Sequence, residues 1–441
     1  MRKSLIVVVP LVVALASCGI FRGGGEKNKS KIAGERLAVL SYEARTTADP
    51  DLANTTVALP PPVANAEWTQ PGGSAAKALG HLSLRANPSR AWSVSIGSGS
   101  DRTKRLTSGP VVSGGRVYTI DTQAAVRAFS AANGGQLWSA TLRKDGESQN
   151  VAFGGGVATD GARVYATSGY GLVAAYDAAT GAQAWRVDIG MPLRGAPAVE
   201  GSQLFVMTQD NQLQVLSTAT GETLWENAAT VEPAGLLGTA APAVALGTAV
   251  VGFSSGELIA LRVENGRSVW QDALNRTGST TSLAALSDID ASAVISDGRV
   301  YAIGHGGRMV ALDLSTGQRV WERNLAGTSM PWVAGEYIFA VTVDGELVAV
   351  QRSDGRVRWV TQLPRWRNVK KRKNPIMWQG PVLASDRLYL TSSEGDLVAV
   401  SPADGAVVST NEVADEIFLE PVVADNTLYI LSEDGRLSAY R

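Results

Sequence analysis

Residue types that carry catalysis are scarce in this sequence. Two histidines, His81 and His305, and a single cysteine, Cys18, stand among 441 residues. His305 lies in a Gly-rich turn with no second histidine and no thiol near it, so a zinc site of the His/Cys kind lacks ligands. No Ser-His-acid arrangement offers itself for nucleophilic chemistry. Cys18 has a different role. It closes MRKSLIVVVPLVVALASC, whose basic start, apolar run from Leu5 to Leu15 and small residues before the cysteine have the layout of a secretory signal. That apolar run is too short and too early for a spanning helix. Leu15-Ala16-Ser17-Cys18 has the form of a bacterial lipobox, which predicts cleavage after residue 17 and acylation of the Cys18 thiol. Acyl chains on one residue anchor firmly, because each buried CH2 contributes about 0.8 kcal/mol. An exported chain with one cysteine forgoes disulfides and keeps its thiol where a lipid belongs. Gly19 follows, not the Asp that favours inner-membrane retention, so the expected address is the outer membrane, periplasmic face.

Three other clusters invite a binding reading. Asp288 and Asp290 form an acidic pair in a polar loop, either solvated turn formers or a contact for a partner. Leu236 and Leu237 sit side by side between glycines, either plugging the core beneath or, if exposed, forming an apolar contact patch. Arg365-Trp366-Arg367-Asn368-Val369-Lys370-Lys371-Arg372-Lys373 is the densest positive run, a solvated connection or a contact for anionic headgroups or an acidic partner. A formal net charge of −1 gives no reason to expect a nucleic-acid partner.

The elements that must position these residues are written in repeats. Gly134/Trp138, Gly181/Trp185, Gly221/Trp225, Gly266/Trp270, Gly317/Trp321 and Gly355/Trp359 share one spacing, and a seventh unit keeps Gly405 but carries Ser409 in place of the tryptophan. Ten residues before the glycines from 181 onward lie second turn markers: Gly171, Asn211, Gly256, Gly307, Gly345 and Gly395. Alternating segments such as Arg299-Val300-Tyr301-Ala302-Ile303 and Glu346-Leu347-Val348-Ala349-Val350 fill the intervals. Short stretches opened by Gly109-Pro110, Ala196-Pro197, Ala241-Pro242, Gly380-Pro381 and Glu420-Pro421 introduce an innermost strand. Each unit thus predicts four short antiparallel strands joined by tight turns. The tryptophans recur about every 45 residues, the length of a propeller blade. A lone blade cannot bury its two faces, so the blades stack around a channel. Glycine at the third turn permits positive φ, and the tryptophan covers the contact between neighbouring blades.

The last unit ends after Arg436-Leu437-Ser438-Ala439-Tyr440-Arg441, one strand short, while Ala91-Trp92-Ser93-Val94-Ser95-Ile96 supplies a tryptophan-bearing strand without a unit. Pairing the two closes the ring and hides two sheet edges. The expected architecture is all-β, an eight-bladed propeller over residues 88–441 with its last blade closed by an N-terminal strand. It follows a signal over 1–17 and an extended, Pro-rich arm over 18–87, partly draped on the propeller.

These units resemble the tryptophan-docking repeats of the quinoprotein superfamily. Thr277-Gly278-Ser279-Thr280 with Leu286-Ser287-Asp288-Ile289-Asp290, together with the lipobox, resembles the BamB family of outer-membrane assembly lipoproteins. That resemblance implies a non-catalytic scaffold without cofactor, docking through inter-blade loops of one rim to the periplasmic POTRA domains of BamA within the Bam complex. It implies contact roles for Asp288 and Asp290, and for the loop Ala234-Gly235-Leu236-Leu237-Gly238. There Leu236 and Gly238 keep the family pattern, whereas Leu237 replaces its arginine. Two other readings stand beside it. The quinoprotein alcohol dehydrogenases bind pyrroloquinoline quinone and calcium, but they use a vicinal disulfide that a chain with one cysteine lacks, and fold alone does not transfer activity. An exported propeller also binds peptides or unfolded outer-membrane proteins if it offers a strand edge.

Overall fold

Strands form where apolar residues alternate between the turn markers. The computed structural model describes residues 46–147, 154–230, 240–274 and 288–441. Among them are eight four-stranded antiparallel sheets, the blades of a propeller. From the channel outward, blade 1 consists of Val111–Ser113, Arg116–Ile120, Ala125–Ser130 and Gln136–Thr141. Blades 2 to 7 repeat this order over residues 155–188, 198–228, 243–273, 294–323, 332–362 and 378–412. The second and third strands of a blade are buried almost throughout, whereas the outer strand alternates toward solvent, as Gln183–Asp188 shows. Between blades 6 and 7, part of the basic run folds as the exposed hairpin Trp366–Asn368 and Lys373–Pro375.

Blade 8 closes the ring as the sequence predicts. Val422–Ala424, Thr427–Leu431 and Arg436–Tyr440 are its first three strands, and Arg90–Ser95 is its outer strand. Trp92 lies opposite Ala439 and Val94 opposite Leu437.

The glycine–tryptophan spacing has a reason that differs from a partnership within one unit. Each tryptophan docks on the glycine turn of the next blade. A Cβ on Gly317 would lie 2.5 Å from the Trp270 ring, and one on Gly355 2.7 Å from that of Trp321. The indole N–H then donates to a carbonyl beside that turn, Trp270 to Leu314 at 2.7 Å and Trp321 to Arg352 at 3.0 Å. The same pair of contacts joins Trp92 to blade 1, Trp138 to blade 2, Trp185 to blade 3, Trp225 to blade 4 and Trp359 to blade 7. One residue before each tryptophan the register shifts, a bulge that re-aims the ring at its neighbour.

Residues 46–87 do more than drape. Between Asn65 and Leu82 the arm crosses the end of the channel and meets the innermost segment of every blade. Trp68 pairs with Val112 of blade 1, Thr69 accepts from Thr159 of blade 2, and Gln70 exchanges bonds with Val199 of blade 3. Ala75 and Ala76 accept from Val244 and Ile295 of blades 4 and 5. Gly80 accepts the indole N–H of Trp332 in blade 6 at 2.7 Å. Leu82 bonds to Leu383 and Ser385 of blade 7, and Asn65 to Val423 and Asp425 of blade 8. Trp68 is buried and stacks on Trp332 at 6.2 Å. The arm is a plug built on backbone groups that the inner strands would otherwise leave unpaired.

Candidate functional site

In an antiparallel blade the turn between the second and third strands shares a rim with the connection that leaves the outer strand for the next blade. On that rim the turn Phe253 to Glu257 of blade 4 is the base of two connections at once. Thr230, where the blade 3 to blade 4 connection begins, donates its backbone N–H to Glu257 Oε2 at 2.9 Å. Leu274, where the blade 4 to blade 5 connection begins, donates to the Gly256 carbonyl at 2.9 Å, and Ile289, where that connection returns, donates to the Phe253 carbonyl at 3.2 Å. Leu236 and Leu237 belong to the first connection and lie outside the described residues, as do Thr277 to Ser287 of the second and Cys18.

A polar network locks these bases together. Asn211 stands in blade 3 where blades 2 and 4 to 8 carry glycine, with φ +63°, a conformation asparagine tolerates. Its amide donates to the Thr230 carbonyl at 2.7 Å and accepts from the Ser254 hydroxyl at 2.7 Å. Arg194 reaches the same amide oxygen at 3.4 Å, and its other terminal nitrogen lies 3.7 Å from Asp288 Oδ1. Burial opposes the charge of Glu257, yet bonds from Ser255, Thr230 and Gln271 hold its carboxyl below the usual range. The described ends of the connections that join blades 3, 4 and 5 are therefore bonded to one turn.

The two predicted acidic contacts have different surroundings. The Asp288 side chain is 1% exposed, facing Arg194, and its carbonyl accepts from the His305 N–H at 3.0 Å. It secures the loop base and presents no open carboxylate. Asp290 is partly exposed and lines a cavity of about 450 Å³ in the mouth of the channel. Burial, then the charge of Asp288, pushes its carboxyl up to about 7 against the pull of Arg194. The arm lines part of this cavity with Trp68 and Pro71; Leu106, Met330 and Phe418 add apolar wall, and Glu420 and Glu433 add acid. Lys77 of the arm is buried, its Nζ donating to the Pro71 carbonyl at 2.8 Å. Burial draws its ammonium down to about 7 despite the opposing charge of Glu420. In the basic run, Arg365 and Arg367 pair with Asp344 and Glu394 of the protein itself, while Lys370, Lys371, Arg372 and Lys373 are exposed. Among the described residues no group of three or more His, Cys, Asp or Glu side chains is placed to hold a metal ion, and no helix is long and apolar enough to cross a membrane.

Arg194, Ser254 and the plugging arm were not singled out from sequence. Asn211 was a signal: it is the one non-glycine among the second-turn markers, and its side chain carries the network.

Fold and rim define a class: an eight-bladed propeller of tryptophan-docked blades in which two connections leave from a common base. The family model of the outer membrane protein assembly factor BamB matches residues 122–361 and 364–441. The BamB of Yersinia pestis is 30% identical over 360 residues, which span 80% of this chain and 89% of that protein. The crystal structure of BamB from Moraxella catarrhalis superposes with a TM-score of 0.68 at 19% identity, over 80% of this chain and 99% of that one. A europium-containing methanol dehydrogenase superposes at 0.64 with 13% identity, over 85% and 89%, a likeness of fold alone. The chain belongs to the BamB family.

Proposed function

We propose that this chain is a non-catalytic, lipid-anchored scaffold of the outer-membrane protein assembly machinery. Acylated at Cys18, it sits on the periplasmic face of the outer membrane and docks on the POTRA domains of BamA through the 231–239 and 275–287 connections. The observation that carries the reading is the shared base: one turn, Phe253 to Glu257, bonds the start of both connections and the return of the second. The shared base brings the flanking residues Thr230, Leu274 and Ile289 to one turn, so the two connections start side by side on the rim. Leu236 and Leu237 supply the apolar part of the contact, Asp290 a carboxylate at the channel side, and Asp288 holds the loop rather than touching the partner.

Capture of BamA from solubilised envelopes tests this. The unaltered chain retains BamA, and Leu236→Asp/Leu237→Asp loses it with an unchanged circular dichroism spectrum. If that variant captures BamA as well as the parent chain does, the loop assignment fails. If the parent captures no barrel-assembly subunit, the scaffold reading fails.

A further inference from the structure

Seven of the eight junctions between blades are sealed by a tryptophan; the junction from blade 7 to blade 8 is not. Ser409 lies opposite Ala399, the register at which Trp359 faces Ala349 and Trp321 faces Ala311. Blade 7 even keeps the bulge that aims the missing ring. The reason lies across the junction. In blade 8 the third and outer strands, Arg436–Tyr440 and Arg90–Ser95, come from opposite ends of the domain, so no glycine turn joins them to receive a ring.

What remains is a cleft of about 620 Å³ between the two blades. Its floor is a seat for an aromatic ring. Tyr389 occupies the second-strand position at which Tyr165, Tyr301 and Phe339 pack against Trp185, Trp321 and Trp359, with centroids 6.0 to 6.3 Å apart. Tyr389 and Ala399 are each 6% exposed, whereas Tyr301, Ala311, Phe339 and Ala349, under their tryptophans, are at 0%. The second missing part is an acceptor. Arg163 and Arg299, at the start of their blades' second strands, donate to the Thr218 and Arg352 carbonyls of the next blade, the carbonyls that also accept Trp185 and Trp321. Arg387, their counterpart, turns to the carbonyl of its own neighbour Asp386. The charged residues lining the cleft are Arg90 and Arg387, with no carboxylate among its lining residues.

We infer that the cleft between blades 7 and 8 is a docking site for a partner polypeptide that inserts an aromatic side chain over Tyr389 and Ala399 and offers an adjoining acidic residue to Arg387 and Arg90. The partner supplies in trans the ring and acceptor that the other junctions hold in cis. A buried ring is the commonest anchor of such contacts, and the two arginines fix which segments fit. This site lies at another junction than the blade 3 to 5 rim and does not depend on that rim's function.

The probe is a fluorescein-labelled hexapeptide, Gly-Ser-Asp-Trp-Ser-Gly, titrated against the full-length protein by fluorescence anisotropy. Saturable binding is expected, abolished when the peptide's tryptophan is alanine. Ser409→Trp fills the cleft from within and should weaken binding at least tenfold while leaving Tm unchanged or raised. Arg387→Gln should weaken it several-fold and flatten its salt dependence. No saturation by about 1 mM protein, a range beneath which contacts of this kind are too weak to matter, overturns the proposal. So does undiminished binding to Ser409→Trp, or, should that variant not fold, undiminished binding and salt dependence in Arg387→Gln. Self-association of the parent chain that Ser409→Trp abolishes, without peptide binding, assigns the cleft to a second copy and likewise overturns it.

Discussion

Glycine at the third turn of a blade serves two needs, and comparison of two positions separates them. Gly298, in the turn between the first and second strands of blade 5, has φ +71° with open space around its missing Cβ, whereas Gly317, in the third turn of the same blade, has φ +72° with the Trp270 ring 2.5 Å from it. Alanine at Gly298 meets only the strain of a left-handed backbone, on the order of 1 to 2 kcal/mol. Alanine at Gly317 meets that strain and also lifts a docked ring, so its loss in urea denaturation should exceed that of Gly298→Ala by at least about 1 kcal/mol. Equal losses would mean that the turn, not the dock, dictates glycine. Here the sequence was partly misleading. The motif puts Gly317 four residues before Trp321, yet its ring partner is Trp270 of the previous blade. Because Gly and Trp travel together in six units, periodicity cannot say which of two neighbours a glycine serves. Only the break at Ser409 carries that information, since Gly405 persists without a tryptophan of its own and still receives Trp359. Asp290 gives a second residue-scale expectation. With its carboxyl raised to about 7, the folded chain binds a proton that the unfolded chain has released above the ordinary aspartate range. Its contribution is full below about pH 4 and is lost as pH rises through 7. Asp290→Asn should remove that fall from a plot of Tm against pH between 4 and 8; an unchanged slope would place the titrating group elsewhere.

At the scale of elements, the four-stranded units were legible because one pattern is written many times, and each copy corrects the reading of the others. The arm is written once. Its Pro- and Gly-rich stretch has no period to detect, and apart from side chains such as Gln70 on blade 3 and Asn65 on blade 8 its bonds to the blades use backbone groups that any sequence possesses. An expectation of an extended arm partly draped on the propeller therefore names none of the blade segments that it meets. Trp68 shows what that place contributes. It is 1% exposed, stacked on Trp332 and paired through its backbone with Val112. Trp68→Ala should cost roughly 3 to 5 kcal/mol, as large-to-small changes of buried aromatics do. A chain in which that substitution lowers stability by less than 1 kcal/mol in denaturant melts would have an arm that is only lightly seated. The same limit applies to the rim. Asp288 and Asp290 stood out as an acidic pair, but nothing in their spacing says that one faces Arg194, from the blade 2 to blade 3 connection, while the other opens to the channel.

For the whole molecule, stability is a property of a closed ring: each blade shields its neighbours, and an open junction would expose two sheet faces together. Seven junctions are pinned by indole docking, and continuous chain holds each blade except the eighth, which depends on pairing between Arg90–Ser95 and Arg436–Tyr440. The same blade borders the unsealed cleft, so both weaknesses of the ring meet on one side of the molecule. Ring opening should therefore begin there. Ser93 and Ser438 offer a direct test, since they pair across the closure with their hydroxyls 3.1 Å apart. Ser93→Cys/Ser438→Cys, with Cys18→Ser to leave no third thiol, would link strands separated by nearly the whole domain. Loop-closure entropy sets an upper value near 6 kcal/mol for a loop of that length. The oxidised variant should unfold at higher temperature than the reduced one and still in a single transition, because the clasp holds the step that precedes loss of the blades. Equal midpoints in the two redox states would show that the ring opens at a junction other than the one its two ends make.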